Sequence, residues 1–487
     1  MGKIIYKTGH KQLISQPLLE LSNISPPHIK LAQQAGRWHY IQFDKHPGLA
    51  IYHPHLINDL FSEQDVKITP DPWEDPAKLG EKALNLRPCT QRTRRLTPEL
   101  EAIQSHLPSE FFDRWLPWTE SALKKTYIED RDGQEYAGIQ AKPKLYENLR
   151  RASMMVVGRT VCSMFKGELL KEIETALEGL DTSYARVIYT GARVRFGFMQ
   201  SPDVKHAAQC LKQLEKTIRP IIRDQIGGGE KRDDLLTRWV HTKDINGRTL
   251  NLKEDQVINE VVCFLVMAYT SLPKILFGAV TSIDIVNQSD FLEEIAKETS
   301  NAVKLITNLP TLGEGTPPPI TPHNEMAFRT IPLHNAIVLE ALRLYPAAWL
   351  SQYRVTEGVM PLGGAQADEE SGPTVSEGDL VWLSPWGAHH HSEYFTQPMR
   401  FWPQRWAGNL EKQLPTHQFA PFGYHGKPSL SEVYCRELAP RFLMMWFARY
   451  TVVDVPKDIS WELSICLRPK TSVGWLHKRD YYRFRYG

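Results

Sequence analysis

The pattern of apolar and polar residues predicts a mostly helical chain with one fully buried helix at its centre. Between Leu250 and Val280 the residues are apolar nearly all round, which is typical of a helix that crosses the middle of a domain. Asn251 and Glu254 form a capping-box-like start for this helix. Pro273 removes one backbone hydrogen bond within it, so we expect a bend and a notch beside Thr270.

Other segments extend this pattern towards both ends of the chain. The stretch from Pro332 to Pro346 reads as a helix, because proline is favoured at a helix start and cannot continue a helix beyond its end. A loop of small and breaker residues feeds a glycine-free apolar segment that runs to Arg449, which predicts a further helix. Near the N-terminus, WHYIQF and GLAIYHP read as two strands of a hairpin around Lys45 to Pro47. The chain is therefore predicted to be mainly α with small β-sheets.

Composition excludes several classes of partner and compartment. The 487 residues carry 58 Lys plus Arg against 56 Asp plus Glu, so the net charge of +2 favours neither nucleic acid nor a charged membrane surface. Six separated cysteines without a CxxC pair predict a reduced compartment and no structural zinc. The N-terminus has no apolar run long enough for a signal peptide or a transmembrane segment. We expect a cytoplasmic protein, or one at the endoplasmic reticulum surface if a native anchor lies outside this chain.

The loop before the last helix has a recognisable pattern. Phe422 and Gly423 open it, and Lys427 follows at a fixed spacing. It resembles the haem-binding loop of the cytochromes P450, Phe-Gly-x-Gly-x-(His or Arg)-x-Cys-x-Gly, whose cysteine ligates the iron. Aligned without gaps, this chain has Ser429 at the ligand position. His425 and Ser431 take the two companion glycine positions.

The resemblance leaves the iron ligand open. Ser429 is the candidate at the ligand position, and His425 and Tyr424 are loop neighbours that could replace it. Cys435 would reach the iron only with two compensating gaps in the alignment, so we expect it to be buried as a small apolar residue on the helix.

The central helix carries the candidate catalytic residues. In the family this helix crosses the distal haem face with an acid or histidine followed by Thr-Thr or Thr-Ser; here the residues are Tyr269, Thr270 and Ser271. Thr270 matches the threonine that hydrogen-bonds dioxygen at the iron and passes protons, and Tyr269 replaces the relay residue. Taken alone, an apolar helix with a threonine bonded to its own carbonyls would explain the same pattern.

Two further motifs match the family in order. Glu340 and Arg343 lie one turn apart, and Phe401-Trp402-Pro403-Gln404-Arg405-Trp406 follows them. The resemblance implies a buried Glu-Arg-Arg network of Glu340, Arg343 and Arg405. It also implies that Arg354, and Arg92 or Arg95, meet the haem propionates, although arginine clusters are more often solvated. The histidines His389 to His391 are neighbours in a loop and should point apart, so no shared metal site is expected from them.

The resemblance covers nearly the whole chain and implies one cytochrome P450 domain over residues 1–487. NLRRASMMVVGRTVC at 148–162 is similar to fungal secondary-metabolite members. The implied function is action on an apolar, terpenoid- or polyketide-like small molecule, with haem bound through a non-cysteine ligand and a NADPH-dependent reductase as a possible partner. Two alternatives stay open: a haem-free cyclase, isomerase or binding protein, and a cysteine-to-serine variant of a conventional monooxygenase.

Overall fold

The computed structural model describes the elements of the fold and the loops that join most of them. The described residues are 3–7, 13–17, 38–43, 46–62, 67–70, 115, 118–119, 121–123, 145–190, 194–195, 199–200, 202–241, 247–249, 252–286, 289–307, 331–348, 351–362, 373–408, 410–415, 417–424, 430–448, 450–453, 459, 461–462, 468–469 and 475–478.

The strands form one larger sheet and several two-stranded ones. In chain order the strands are β1 (Lys3–Lys7), β2 (Leu13–Pro17), β3 (Trp38–Phe43), β4 (His46–Ile51), β5 (Lys67–Pro70), β6 (Val194–Arg195), β7 (Met199–Gln200), β8 (Ser351–Glu357), β9 (Val359–Pro361), β10 (Thr374–Ser376), β11 (Leu380–Leu383), β12 (Tyr450–Val453), β13 (Trp461–Glu462), β14 (Arg468–Pro469) and β15 (Trp475–Lys478). The larger sheet has the order β2-β1-β3-β4-β11-β8-β5. Its β4–β11 pair is parallel, with Val381 opposite Leu49, so two distant parts of the chain meet there.

The expected hairpin near the N-terminus is present with a small difference. β3 and β4 pair antiparallel, as the alternating pattern predicted. β4 begins at His46, so His46 and Pro47 belong to the strand and pair with Phe43 and Gln42 instead of forming the turn.

The helices make up most of the described chain, which confirms the predicted mainly α class. They are α1 (Pro54–Ser62), α2 (Leu145–Val161), α3 (Gly167–Thr190), α4 (Pro202–Ile226), α5 (Leu235–His241), α6 (Glu254–Val286), α7 (Ser289–Thr307), α8 (Pro332–Leu344), α9 (Pro385–His389), α10 (Leu410–Gln413) and α11 (Leu430–Phe447), with a 3₁₀ helix at Pro403–Trp406. The bounds of α8 agree with the proline positions that predicted them.

Helix α6 is the centre of the fold, as its apolar sequence predicted. It packs against α2, α8 and α11, and its residues 264–283 are all buried. The helix continues through Pro273 as far as Val286, while the expected cap residue Asn251 lies outside the described residues. A methyl group added at Gly278 would lie 2.4 Å from the Tyr345 ring, so glycine is what allows α6 and the end of α8 to approach this closely.

One helix in the described part of the chain, Glu254–Ile283, is long and apolar enough to span a membrane by length and composition. Its most apolar stretch is buried inside the fold, and a core helix of a globular protein meets the same criteria.

Candidate functional site

Glu340 lies at the centre of a buried ion network. Its carboxylate accepts two hydrogen bonds from Arg343, at 3.0 Å from Nε and 2.8 Å from Nη2. Arg405 donates from Nε at 3.1 Å and from Nη1 to the carbonyl oxygen of Thr396 at 2.8 Å. The side chains of Glu340 and Arg343 are fully buried, and that of Arg405 is 5% exposed. The structure thus brings together the three residues that the sequence grouped as a network.

The same network fixes the segment 396–406 to α8. Glu340 also accepts from the backbone N–H of Trp402 and from the indole N–H of Trp406, both at 2.9 Å. Arg343 donates to the carbonyl oxygens of His389 (3.0 Å), Pro398 (2.6 Å) and Arg400 (3.2 Å). A planar guanidinium with five donors suits such a set of acceptors, whereas a lysine could not reach them all.

The segment 420–424, which leads into the candidate haem loop, is held by three long-range contacts. Ala420 donates from its backbone N–H to Nε2 of His389 at 3.0 Å, and Ala348 donates to the carbonyl of Pro421 at 2.9 Å. The hydroxyl of Tyr353, on β8, donates to the carbonyl of Tyr424. The start of the loop therefore has a defined position relative to α8, α9 and the larger sheet.

The Phe-Gly turn forms as the motif predicted. Gly423 has a φ of 97°, in the region that only glycine adopts easily, and its N–H donates to the carbonyl of Ala420 at 2.9 Å. Phe422 is buried and belongs to the main core cluster. Any other residue at 423 would strain this turn and displace the loop that follows.

Two of the candidate iron ligands, His425 and Ser429, lie outside the described residues, and so does the basic residue Lys427. The third candidate, Tyr424, is described and buried, whereas nothing is described of the side chain of Ser431. Helix α11 begins at Leu430, so position 429 directly precedes a helix N-terminus. Cys435, one and a half turns into α11, is fully buried in the main core cluster, as expected for a packing residue.

The candidate catalytic residues of α6 are all buried. Thr270 donates from Oγ1 to the carbonyl of Val266 at 2.7 Å, the bond that an ordinary helix threonine makes. The hydroxyl oxygen of Thr270 can still accept a hydrogen bond through its lone pairs. Ser271 has no exposed surface.

Tyr269 occupies a charged environment that the sequence did not reveal. Its ring lies under the guanidinium of Arg150 on α2, with 4.6 Å from the guanidinium carbon to the ring centre. Burial raises the pKa of Tyr269 above its ordinary value; to a smaller extent Arg150 lowers it, and the acids Glu178 and Asp181 of α3 raise it further. Its hydroxyl makes no hydrogen bond with the described residues. The phenol is therefore neutral and its polar atom lacks a protein partner there.

Removing this hydroxyl should not weaken the protein. Tyr269→Phe is expected to leave the free energy of unfolding unchanged or raised, because an unpartnered buried hydroxyl costs about 1–3 kcal/mol of desolvation. Thr270→Val is the matched comparison, since it deletes a hydroxyl that does donate and should cost about 0.5–1.5 kcal/mol. Urea unfolding of both variants measures the difference. A larger loss in Tyr269→Phe than in Thr270→Val would mean that the Tyr269 hydroxyl has a partner.

Two more buried tyrosines lack a partner for their hydroxyls in the described structure, and sequence reasoning did not assign either of them this property. They are Tyr424, at the end of the anchored segment, and Tyr434, in the second turn of α11. The Tyr434 ring packs 4.8 Å from that of Phe264 on α6 and 5.1 Å from that of Trp115. Burial raises the pKa of both phenols well above the ordinary value. A tyrosine in an apolar helix carries no sequence signal that separates packing from hydrogen bonding.

The candidate propionate cations are placed only in part. Arg354 lies on β8 and donates from Nη1 to the carbonyl of Gly378 at 3.0 Å, in the turn between β10 and β11. Arg92 and Arg95 lie outside the described residues. A role of these cations towards haem stays a prediction.

The three adjacent histidines point in different directions. His389 is buried between the carbonyl of Arg343, 3.2 Å from its Nδ1, and the N–H of Ala420. His390 stacks on Trp386 at 4.1 Å between ring centres, and burial lowers the pKa of His390 to about 3, so it is neutral. His391 is directed towards the start of α1. The three do not converge on one ion.

A comparison with protein families agrees with this geometry. The family described as Cytochrome P450 matches residues 321–425. The matched range contains the whole Glu340 network and the Phe422–Gly423 turn, and it ends before Ser429.

Similar proteins are named as oxygenases, and some of them carry the same family name. Pentalenene oxygenase from Streptomyces avermitilis is 23% identical over 405 residues, which are 83% of this chain and 81% of that protein. Cyclooctat-9-en-7-ol 5-monooxygenase from Streptomyces melanosporofaciens is 25% identical over 50% of this chain and 48% of its own. Cytochrome P450 monooxygenase penB from Penicillium thymicola is 27% identical over 27% of this chain and 28% of its own. With its buried Glu-Arg-Arg network and apolar central helix, the chain resembles the cytochrome P450 superfamily and has the mainly helical fold of that family.

Proposed function

We propose that this chain is a haem protein which acts on an apolar, terpenoid-like small molecule in secondary metabolism, and that a residue other than cysteine faces the iron on the proximal side. The substrate class rests on the relatives, whose names include pentalenene and cyclooctat-9-en-7-ol. The apolar central helix is compatible with such a molecule.

The observation that carries the haem assignment is the Phe422–Gly423 turn, which is held in place shortly before α11. In the family this turn opens the loop that holds haem. The hydroxyls of Tyr269, Tyr424 and Tyr434 are buried without a partner among the described residues, and such exceptions point to a bound group or ordered water. The three tyrosines lie in separate packing environments, so each hydroxyl is compatible with a bound group, but together they do not outline one cavity.

The identity of residue 429 limits the chemistry. When bound, haem supplies one-electron and dioxygen chemistry, and a thiolate ligand favours O–O cleavage. The hydroxyl of Ser429 has a far higher pKa than a thiol and donates less electron density to a metal. We therefore assign altered or non-oxidative haem chemistry to the parent sequence.

The described residues of α6 have two roles in this proposal. Tyr269 keeps its proton throughout the neutral pH range because burial raises its pKa, so it can donate a hydrogen bond but cannot relay protons as a carboxylate does. Thr270 has lone pairs that can accept from a bound polar group while its O–H donates to the carbonyl of Val266. The apolar residues around them exclude water from this face of the helix.

The haem-free alternative has its own support. His425 and Ser431 stand where glycine lets the backbone come close to the porphyrin, and Arg354 bonds to Gly378. A cyclase, isomerase or binding protein on the same fold would keep the apolar pocket and lose the cofactor. The third possibility is a cysteine-to-serine variant of a conventional monooxygenase. Such a protein would bind haem as in the first proposal and would differ from a conventional monooxygenase in the loop.

Haem content distinguishes these hypotheses. Protein purified after haem supplementation is expected to show a Soret band with near-stoichiometric iron, because the Phe422–Gly423 turn that opens the haem loop in the family is in place. After reduction under carbon monoxide, the band should lie away from the thiolate position, since Ser429 offers no sulfur. Absorption spectra and iron analysis measure both.

Two outcomes would contradict this expectation. A thiolate-type spectrum would mean that Cys435 reaches the iron, which requires the packing of α11 to change. No Soret band under any loading condition would favour the haem-free alternative. Gly423→Ala tests the role of the turn. The backbone at φ 97° strains any residue with a side chain, so this variant should retain less haem than the parent.

Oxygen activation would require electrons, so a NADPH-dependent reductase belongs to the proposal for the haem-bound case. In that case we expect the protein to work in the cytoplasm, or at the endoplasmic reticulum surface if the native protein has an anchor outside this chain. Reductase-dependent consumption of NADPH by the loaded protein would separate redox from non-redox function.

A further inference from the structure

His53, His391 and Glu393 bring one ligand atom each to a common point beside the start of α1. His53 Nε2 lies 3.5 Å from Glu393 Oε2, and His391 Nδ1 lies 3.9 Å from the same oxygen. All three ligand atoms lie within 4.8 Å of one another. We propose that these residues bind one divalent transition-metal ion of the zinc class.

The separations suit tetrahedral coordination. With metal–ligand bonds of about 2.0–2.1 Å, two ligand atoms of a tetrahedral ion lie roughly 3.4 Å apart. The two distances to Glu393 Oε2 exceed this value by about half an ångström or less. The third separation, between the nitrogens of His53 and His391, is at most 4.8 Å, so binding requires rotation of the partly exposed His391 ring as well as of the Glu393 side chain, which is 53% exposed.

The backbone positions of the ligands are fixed on both sides. His53 caps α1, because its carbonyl accepts from the N–H of Ile57 at 3.1 Å and its Nδ1 faces the N–H of His55 at 3.3 Å. On the other side, the carbonyl of His391 accepts from the N–H of Phe395 at 3.0 Å. A buried imidazole and two partly exposed groups thus face each other across two ordered segments.

Neighbouring rings close one side of the site. The hydroxyl of Tyr394 lies 2.7 Å from Nε2 of His55, and the His55 ring stacks 5.4 Å from that of His53. The rings of His53 and His391 meet edge to face at 4.8 Å. Such contacts around ligands restrict ring rotation, which raises metal affinity.

The protonation states define what binding requires. Nδ1 of His391 accepts from the backbone N–H of Glu393 at 3.4 Å, a long and weak hydrogen bond that an ion at this nitrogen would displace. Nδ1 of His53 faces a backbone N–H as well, so the neutral ring carries its proton on Nε2. An ion at Nε2 moves that proton to Nδ1 and displaces a hydrogen bond of 3.3 Å, which is long for this donor and therefore weak.

The donor set selects the metal class. Two imidazoles with one carboxylate suit zinc and its neighbours in the first transition row, and three protein ligands leave a fourth position for water or a partner group. The ion would join α1 to the segment after α9. None of its ligands belongs to the haem proposal, so the metal proposal and the haem proposal can be tested independently.

Zinc titration tests the site. Tag-free protein stripped with a chelator is titrated with ZnCl₂ in competition with a fluorescent chelator. The parent is expected to bind one ion that Glu393→Gln and His391→Ala bind at least about tenfold more weakly. Zinc should also raise the Tm of the parent, because it binds only the folded state, and not that of the variants.

His206→Ala is the matched control. His206 is an exposed histidine on α4 that bonds to Ser183, and it is none of the three proposed ligands. The variant should keep the parent affinity. His53→Ala can fail to fold because His53 is a buried cap, so the decision rests on the two exposed ligands. Equal zinc affinity in the parent and both ligand variants, or no zinc bound by the parent, would overturn the proposal.

Discussion

Glu340→Ala is expected to lower the free energy of unfolding by about 3–5 kcal/mol and to leave little soluble protein. The change removes the acceptor of Arg343, Arg405, Trp402 and Trp406 together. Arg343 then keeps a fully buried positive charge without a counter-charge. Since whole proteins are stable by about 5–15 kcal/mol, a loss of this size approaches the total.

Urea unfolding and soluble yield measure the effect. Arg405→Ala should be similar in direction and smaller, because the Arg405 side chain is slightly exposed and Glu340 keeps Arg343. Glu294→Ala on α7 is the control: this glutamate is exposed, and the change should cost less than about 0.5 kcal/mol. Wild-type yield and unchanged unfolding of Glu340→Ala would mean that the network does not hold the segment 396–406 in place.

Ser429→Cys is expected to give the haem-loaded protein a thiolate-type carbon monoxide spectrum. Position 429 directly precedes α11, and the N-terminal dipole and unpaired N–H groups of a helix lower the pKa of a nearby thiol. The substitution therefore supplies a thiolate at neutral pH where the parent has a hydroxyl. Absorption of the reduced, carbon monoxide-treated variant against the parent is the measurement.

Cys435→Ser in the parent is the companion variant. Because Cys435 is buried in the core and not at the loop, its replacement should leave the parent spectrum unchanged. If Ser429→Cys alone gains the signal only in part, adding His425→Gly and Ser431→Gly should complete it, since glycine allows a closer approach of the backbone. A restored loop that still takes up no haem would favour the haem-free alternative.

The sequence predicted those features whose cause is local. The all-round apolar character of α6 and the prolines around α8 fixed both helices within a few residues, because periodicity and proline geometry act over single turns. The Glu340–Arg343 pair was uninformative by itself, as an exposed pair at this spacing would contribute little. Its resemblance in context to a family network is what identified it.

Apart from the Glu340 network, which the family resemblance identified, the sequence could not predict contacts between distant segments. Arg150 over Tyr269, Phe264 against Tyr434, and His53 beside Glu393 each join elements that only the tertiary fold brings together. The loop ligand is a different case. The family pattern gave Ser429 a position, but the residues 425–429 lie outside the described structure, so its chemistry rests on the proposed spectra.

The partners in the Glu340 network are far apart in the sequence, so they are translated at different times. The carbonyl that Arg343 bonds to in His389 lies 46 residues further along the chain. The indole that donates to Glu340, that of Trp406, lies 66 residues further along. At about 5–20 residues per second, roughly 3–13 s of translation separate α8 from the last of these partners. During that time the two charges have only each other, in water, where such a pair contributes about 0.2–0.5 kcal/mol. The network on α8 can therefore be completed only after Trp406 has been translated.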